Sequence, residues 1–178
     1  MAEYKVEDVF FEFPDDWTVE LFDTWKKYSK VSGMVGAKGC DILASDGSTL
    51  WIVEVKDYTY ESARPPSDLD VIVGQKALGT MGLLYSLQRS AYGGHEIERA
   101  QEFAQATELR LALHVELKDG GQKSRYLPRD LAPIKTKLSR VAKALGIVKV
   151  EISSSLIAHQ APWTTWRDPA ARGNHRDR

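Results

Sequence analysis

A chain of 178 residues with 43% hydrophobic content fits one domain with a sizeable core, and its net charge of −1 excludes a protein that coats nucleic acid by global basicity. The charge is unevenly spread: residues 1–25 carry eight acidic side chains against one basic (Lys5), and residues 118–149 carry nine basic against two acidic. Such an arrangement lets a neutral chain present a basic face, although a solvated helix face gives the same count. The single cysteine, Cys40, excludes a disulfide framework, no apolar run reaches membrane-spanning length, and the N-terminal residues lack the pattern of a signal peptide. The expectation is a soluble, cytoplasmic protein with no membrane partner.

In chain order, Pro14-Asp15-Asp16 predicts the entrance to a helix running to about Lys30, with Trp17, Leu21, Trp25 and Tyr28 at helical spacing and Ser32-Gly33 as its stop. Strands are predicted over about 38–45 and 49–57, joined by the turn Asp46-Gly47-Ser48. The second is apolar on both faces until its end, as a central strand should be. Residues 58–67 read as a loop broken by Pro65-Pro66. Ser67, with Asp70 three residues on, then predicts the cap of a long helix to about Ala91. Gly74, Gly79 and Gly82 lie inside it, each at a cost to helix stability, so close packing against the sheet or another subunit is expected. A shorter helix over about 95–106, a strand over 109–117, a helix over about 129–145 and a last strand over 147–157 complete the pattern. The expected fold class is α/β: a three-layer α/β/α sandwich on a central mixed sheet, one domain over 1–162, with 163–178 as an irregular, partly disordered basic tail.

Three charged residues interrupt the apolar hairpin. Asp41 sits on its first strand, and Glu54 and Lys56 lie one residue apart on the second, hence on one face. An unpaired buried charge is costly, so such residues are kept for a use. Asp41, Glu54 and the backbone carbonyl of Val55 offer the all-oxygen set that Mg²⁺ prefers, with Mn²⁺ as a substitute. Lys56 is placed to orient a water or to stabilise a developing charge. That points to phosphodiester hydrolysis. The alternative is a strand-end ion pair of Glu54 with Lys56 or Lys38, with Asp41 as a cap.

These residues resemble the PD-(D/E)XK nuclease superfamily, with its restriction-endonuclease-like fold. Asp41 matches the first acidic residue, and Glu54-Val55-Lys56 matches the (D/E)XK triplet at the end of a central strand. The layout agrees over roughly residues 15–117. Cys40 stands where the family name has proline, a position that varies widely among members. The resemblance implies a Mg²⁺-dependent endonuclease-type hydrolase with Asp41, Glu54 and Lys56 as catalytic residues. It also implies a glutamate on the first helix that helps hold metal, for which Glu20 is the best candidate with Asp23 behind it. Gln75 and Lys76, on the following helix, match polar residues that related enzymes place beside the site. RecB-like members pair such a glutamine with a tyrosine four residues later; Gly79 stands there, so that subgroup is not claimed.

Substrate contacts are expected from Arg64, Gln75, Lys76, Lys123 and Arg125, with Lys118 and Arg129 as further phosphate contacts, against the alternative of solvated loops. Tyr58 and Tyr60 are placed either to stack on bases or to pack. His114 and Glu116 share a strand face, where a satisfied core histidine outweighs a metal site. DNA is favoured over RNA as partner, in defence against foreign DNA or in repair, with a homodimer and a protein partner supplying specificity as further expectations. The rival readings are a catalytically silent nucleic-acid-binding or assembly module of the same fold, and an RNase toxin.

Overall fold

The computed structural model describes residues 2–60, 63–118, 127–157 and 159–168. A five-stranded mixed sheet forms the centre, in the order β3 (Thr18–Leu21), β4 (Ile42–Ser45), β5 (Thr49–Tyr58), β6 (Glu108–Leu117) and β7 (Lys149–Ser153). β4 pairs antiparallel with both β3 and β5, whereas β5–β6 and β6–β7 are parallel. The helices are α1 (Lys26–Val35), α2 (Leu69–Gln88), α3 (His95–Phe103) and α4 (Leu127–Ala144). Among the described residues, no helix is long and apolar enough to cross a membrane.

Alternation along β5 assigns the two faces of the sheet. Leu50 and Ile52 join a core with Leu69, Val73 and Ala77 of α2, Phe103 of α3 and Leu138 of α4. Trp51, Val53 and Val55 join a second core with Val9, Phe11, Phe13 and Trp163. That second core lies under a small antiparallel sheet in the order β1 (Ala2–Val6), β2 (Val9–Phe13) and β8 (Thr164–Arg167). The protein is therefore mixed α/β and layered about a mixed sheet, but α2, α3 and α4 share one face and a three-stranded sheet covers the other. The sequence predicts helices on both faces; among the described residues none packs on the second face.

Two local expectations fail for one reason. Residues 18–21 form an edge strand on β4 rather than the middle of a helix; a 3₁₀ turn over Phe22–Thr24 follows, and α1 begins only at Lys26. Val19 and Thr18 are β-branched, and pairing with β4 outweighs a four-residue apolar spacing. α1 also outlasts Gly33, ending at Gly36 in the left-handed conformation that glycine adopts freely. Likewise Thr164–Arg167, expected to be irregular tail, is a strand against β2, with Phe10 stacked on Trp166 at 5.6 Å. Residues 169–178 lie outside the described residues. At the start of α2, Asp68 rather than Ser67 occupies the cap position, and no side chain caps it.

α2 presses onto the irregular segment before β4. Thr80 Oγ1 accepts a hydrogen bond from Cys40 N at 2.9 Å and donates to the Lys76 carbonyl at 2.9 Å. Tyr28 Oη accepts from Gly39 N at 3.0 Å on the opposite side. A side chain at Gly79 would collide with the Lys38 carbonyl oxygen, and one at Gly74 with Val141 of α4. Backbone cannot rotate aside as a side-chain tip can, so Gly79→Ala is expected to cost about 2 kcal/mol or more, despite the better helix propensity of alanine. Urea unfolding checks this; an unchanged midpoint would show that α2 is not seated on Lys38.

Candidate functional site

Glu54 and Lys56 point from β5 toward α2, on the same face as Ile52. Glu54 is fully buried. Its Oε1 lies 2.6 Å from Lys56 Nζ and 2.6 Å from Lys76 Nζ of α2. Lys76 Nζ is also 3.9 Å from Asp41 Oδ1, so one ammonium bridges the two carboxylates. Asp41 enters the site from the residue before β4: its N–H donates to the Val53 carbonyl at 3.0 Å, and its Oδ2 accepts from Val55 N at 2.7 Å. In a strand, N–H and C=O of one residue leave on the same edge, so the Val55 carbonyl faces the Asp41 side as well.

The structure therefore brings Asp41, Glu54, Lys56 and Lys76 together, and the strand-end ion pair of Glu54 with Lys56 is present within the cluster. Lys76 reads as a member of the charge cluster rather than as an outward substrate contact. Asp23, on the 3₁₀ turn, is the next carboxylate: Phe22 N donates to the Asp41 carbonyl at 2.8 Å, and Asp23 feels the charges of Asp41 and Lys76. Glu20 does not join them. Its carboxylate pairs with Arg99 Nε at 3.0 Å and His95 Nε2 at 3.0 Å, tying β3 to α3. Gln75 is exposed on the outer side of α2, away from the cluster, and Arg64 is exposed in the loop before α2. Lys123 and Arg125 lie outside the described residues, as does the side chain of Arg129, whose backbone belongs to α4. Tyr58 is half-buried at the end of β5, its phenol pushed up to about 12 by burial, then by Tyr60 and Glu54.

His114 and Glu116 are buried on the opposite face of the sheet. His114 Nδ1 lies 2.9 Å from Ser153 Oγ and its Nε2 2.8 Å from Glu116 Oε1, which also accepts from Ser155 N at 2.6 Å. This is a satisfied internal network joining β6 to the end of β7, as the sequence favours. Lys76 is the residue whose part is least legible, yet a signal exists: it is the single basic residue of α2.

Burial is the largest influence on Glu54, and with the negative charge of Asp41 it raises the carboxyl to about 7, against the lowering by Lys76 and Lys56. Asp41 is also raised, again first by burial, with Lys76 and the Val55 N–H opposing. Burial works against the Lys76 ammonium, but Glu54 and Asp41 outweigh it and hold its pKa above the lysine range. Attraction thus shows in Lys76, while in Glu54 desolvation wins.

Among the described residues, no group of three or more His, Cys, Asp or Glu is gathered closely enough to hold a metal ion alone. Mg²⁺ needs fewer: one or two carboxylates with water and phosphate oxygens complete its shell. Glu54 Oε2 is buried and has no hydrogen-bond partner among the described residues. Such an orphaned oxygen costs about 1–3 kcal/mol, more when charged, and a hard cation beside Asp41 would satisfy it. The donor set fits Mg²⁺ or Mn²⁺.

No protein-family model and no solved structure matches this chain. It is similar to the cysteine–tRNA ligase of Neisseria meningitidis serogroup A, with 25% identity over 196 aligned positions. The match takes in 86% of this chain but only 28% of that ligase, so the chain spans little more than a quarter of its length.

A carboxyl raised in the folded state from 4.5 to about 7 contributes stability below pH 4.5 that is lost as pH rises through 7. Glu54→Gln, which keeps the shape and removes the charge, is therefore expected to melt about 3 °C or more above the native chain at pH 8 in metal-free buffer. The gap should shrink to about a quarter of that at pH 5. Equal melting at both pH values would show that Glu54 ionises at no cost.

Proposed function

We propose that this protein is a Mg²⁺-dependent nuclease of the PD-(D/E)XK type, with Asp41 and Glu54 holding the metal and Lys56 serving the attacking water. The observation that supports it best is the orphaned Oε2 of Glu54. Buried carboxylate oxygens in folded proteins nearly always have a partner, and the open oxygen belongs to a carboxyl that feels the charge of a second raised carboxylate, Asp41. The restriction-endonuclease-like fold belongs to the same proposal, supported by the helix-facing (D/E)XK triplet on β5 and by the antiparallel-to-parallel change at that strand.

When bound, Mg²⁺ supplies a more acidic water and neutralises charge on the phosphate. The chain does the rest. Asp41 Oδ2, fixed by Val55 N, holds one side of the site, and Glu54 offers its free oxygen from the other. Lys56, 27% exposed, reaches from the buried carboxylate toward solvent, where it can orient the water that attacks phosphorus as the ester P–O bond breaks. Lys76 neutralises the pair of carboxylates and holds them together.

One observation favours a second reading. Two ammonium groups already balance the two carboxylates, as they would in a silent nucleic-acid-binding or assembly module of the same fold. The assay separates the two. Plasmid DNA and structured RNA are incubated with the protein in Mg²⁺, Mn²⁺ or EDTA; RNA is included because the similar Neisseria protein is named for tRNA. Cleavage is expected with either metal and none in EDTA, with DNA favoured, in keeping with a role in defence or repair. Lys56→Ala should lower the rate by about 10²-fold or more, and Asp41→Ala should abolish it. No cleavage of either substrate with either metal would select the silent module, and equal cleavage by Lys56→Ala would remove Lys56 from the mechanism.

A further inference from the structure

α2 is the central helix of its layer, packed between α3 and α4 over the sheet. Its inner side carries Leu69, Val73, Ala77, Thr80, Leu84 and Leu87. Its outer side shows a second stripe. Val71, Gln75, Leu78, Gly82 and Tyr85 are exposed, and the row continues to Arg89 just past the helix end. The alternating four- and three-residue steps form a straight seam of the kind that packs against another helix. Along the whole helix only Asp70 and Lys76 are charged, and Lys76 is turned inward onto Glu54. Helices that are apolar all round are buried ones; among the described residues nothing covers the outer face of this one, with Leu78 and Tyr85 each more than half exposed.

The glycines sharpen the point. Gly74 and Gly79 are explained within the chain, since a side chain there would strike Val141 or Lys38. Gly82 is not. A Cβ there would meet nothing within 4 Å among the described residues, and its φ is ordinary, yet glycine in a helix costs about 1 kcal/mol relative to alanine. Nothing among the described residues explains the space. The seam itself points to what does. It is symmetric about Thr80: Leu78 and Gly82 lie two residues either side, Gln75 and Tyr85 five, Val71 and Arg89 nine. Two antiparallel copies of α2 related by a two-fold at Thr80 would place each Leu78 over the other's Gly82. Each Gln75 would meet Tyr85, and each Val71 the stem of Arg89, whose guanidinium already lies 4.6 Å from the Tyr85 ring centroid. A large residue against a missing side chain, repeated by symmetry, is the self-complementarity of an isologous interface.

We propose that the outer face of α2 is a homodimer interface, a second copy of this chain docking antiparallel so that Leu78 fills the space above the partner copy's Gly82. An apolar groove of about 270 Å³ beside the C-terminal half of α2, lined by Met81, Leu84, Tyr85, Ala100 and Phe103, extends the same surface toward α3. The inference is independent of the nuclease reading, because the seam and the Asp41–Glu54–Lys56 cluster lie on opposite sides of the helix.

Sedimentation between about 1 and about 100 µM tests it. The native chain is expected at twice its 20.0 kDa mass. Leu78→Glu and Gly82→Leu should each return it to one chain at the same concentrations. Gly82→Leu raises helix propensity, so loss of the dimer there cannot be loss of the helix. Mixed Leu78→Cys and Gly82→Cys proteins should form a disulfide between unlike chains at least about tenfold faster than either protein alone. A native monomer throughout, a dimer that survives Gly82→Leu, or the absence of preferential cross-linking would each overturn the proposal.

Discussion

A carboxylate with no solvent exposure needs compensation where it sits, and Glu54 is such a carboxylate at the middle strand of the sheet. Lys56 supplies one counter-charge from the same strand, but the second must come from above, from α2. That requirement sets the height and phase of the helix. Lys76 reaches Glu54 only if Gly79 can rest on the Lys38 carbonyl and Thr80 can hold Cys40 N. Those contacts in turn order residues 38–41, and so fix the carboxylate of Asp41. The buried charge, the glycine of the helix and the irregular segment before β4 form one interdependent unit.

The opposite face of β5 meets a different demand. Trp51, Val53 and Val55 need apolar cover, and the small sheet provides it with Phe11, Phe13 and Trp163; the Trp51 and Trp163 rings meet edge to face at 5.1 Å. On this face His114 pairs with Ser153 and Glu116. One strand therefore separates a charged, partly open side from a dry aromatic one. The two cations that serve the carboxylates, Lys56 and Lys76, both lie on the helix side of the sheet.

The sequence made legible those parts whose signal is local. The Asp46-Gly47-Ser48 turn, the apolar run of β5, the lengths of α2 and α4 and the alternation of β6 all carry their own pattern within ten to twenty residues. β3 and β8 have four residues each and owe their form to a partner strand, so no window along the chain distinguishes them from helix or tail. At the site, Asp41, Glu54 and Lys56 followed from strand alternation. The roles of Lys76 and Gln75 depend on the rotation of α2, which composition alone does not set: adjacent residues on a helix point about 100° apart, one onto Glu54 and one outward. Glu20 was misplaced because it lies on a strand edge beside Arg99 rather than on a first helix.

The pairing of β2 with β8 has a consequence for how the molecule comes into being. Lys5 and Asp168, joined at 2.6 Å, are 163 residues apart in the chain, and Phe10 finds Trp166 across a similar span. During synthesis the first hairpin emerges long before the strand that flanks it, and the aromatic residues on its inner side wait for β5 and then for Trp163. Contacts of such long sequence separation are slow to form because loop closure precedes the reward. A late-made strand thus closes an early-made sheet, and a ribosome-bound chain lacking it holds an open edge and an uncovered aromatic face, the two features that chaperones recognise and that aggregation exploits.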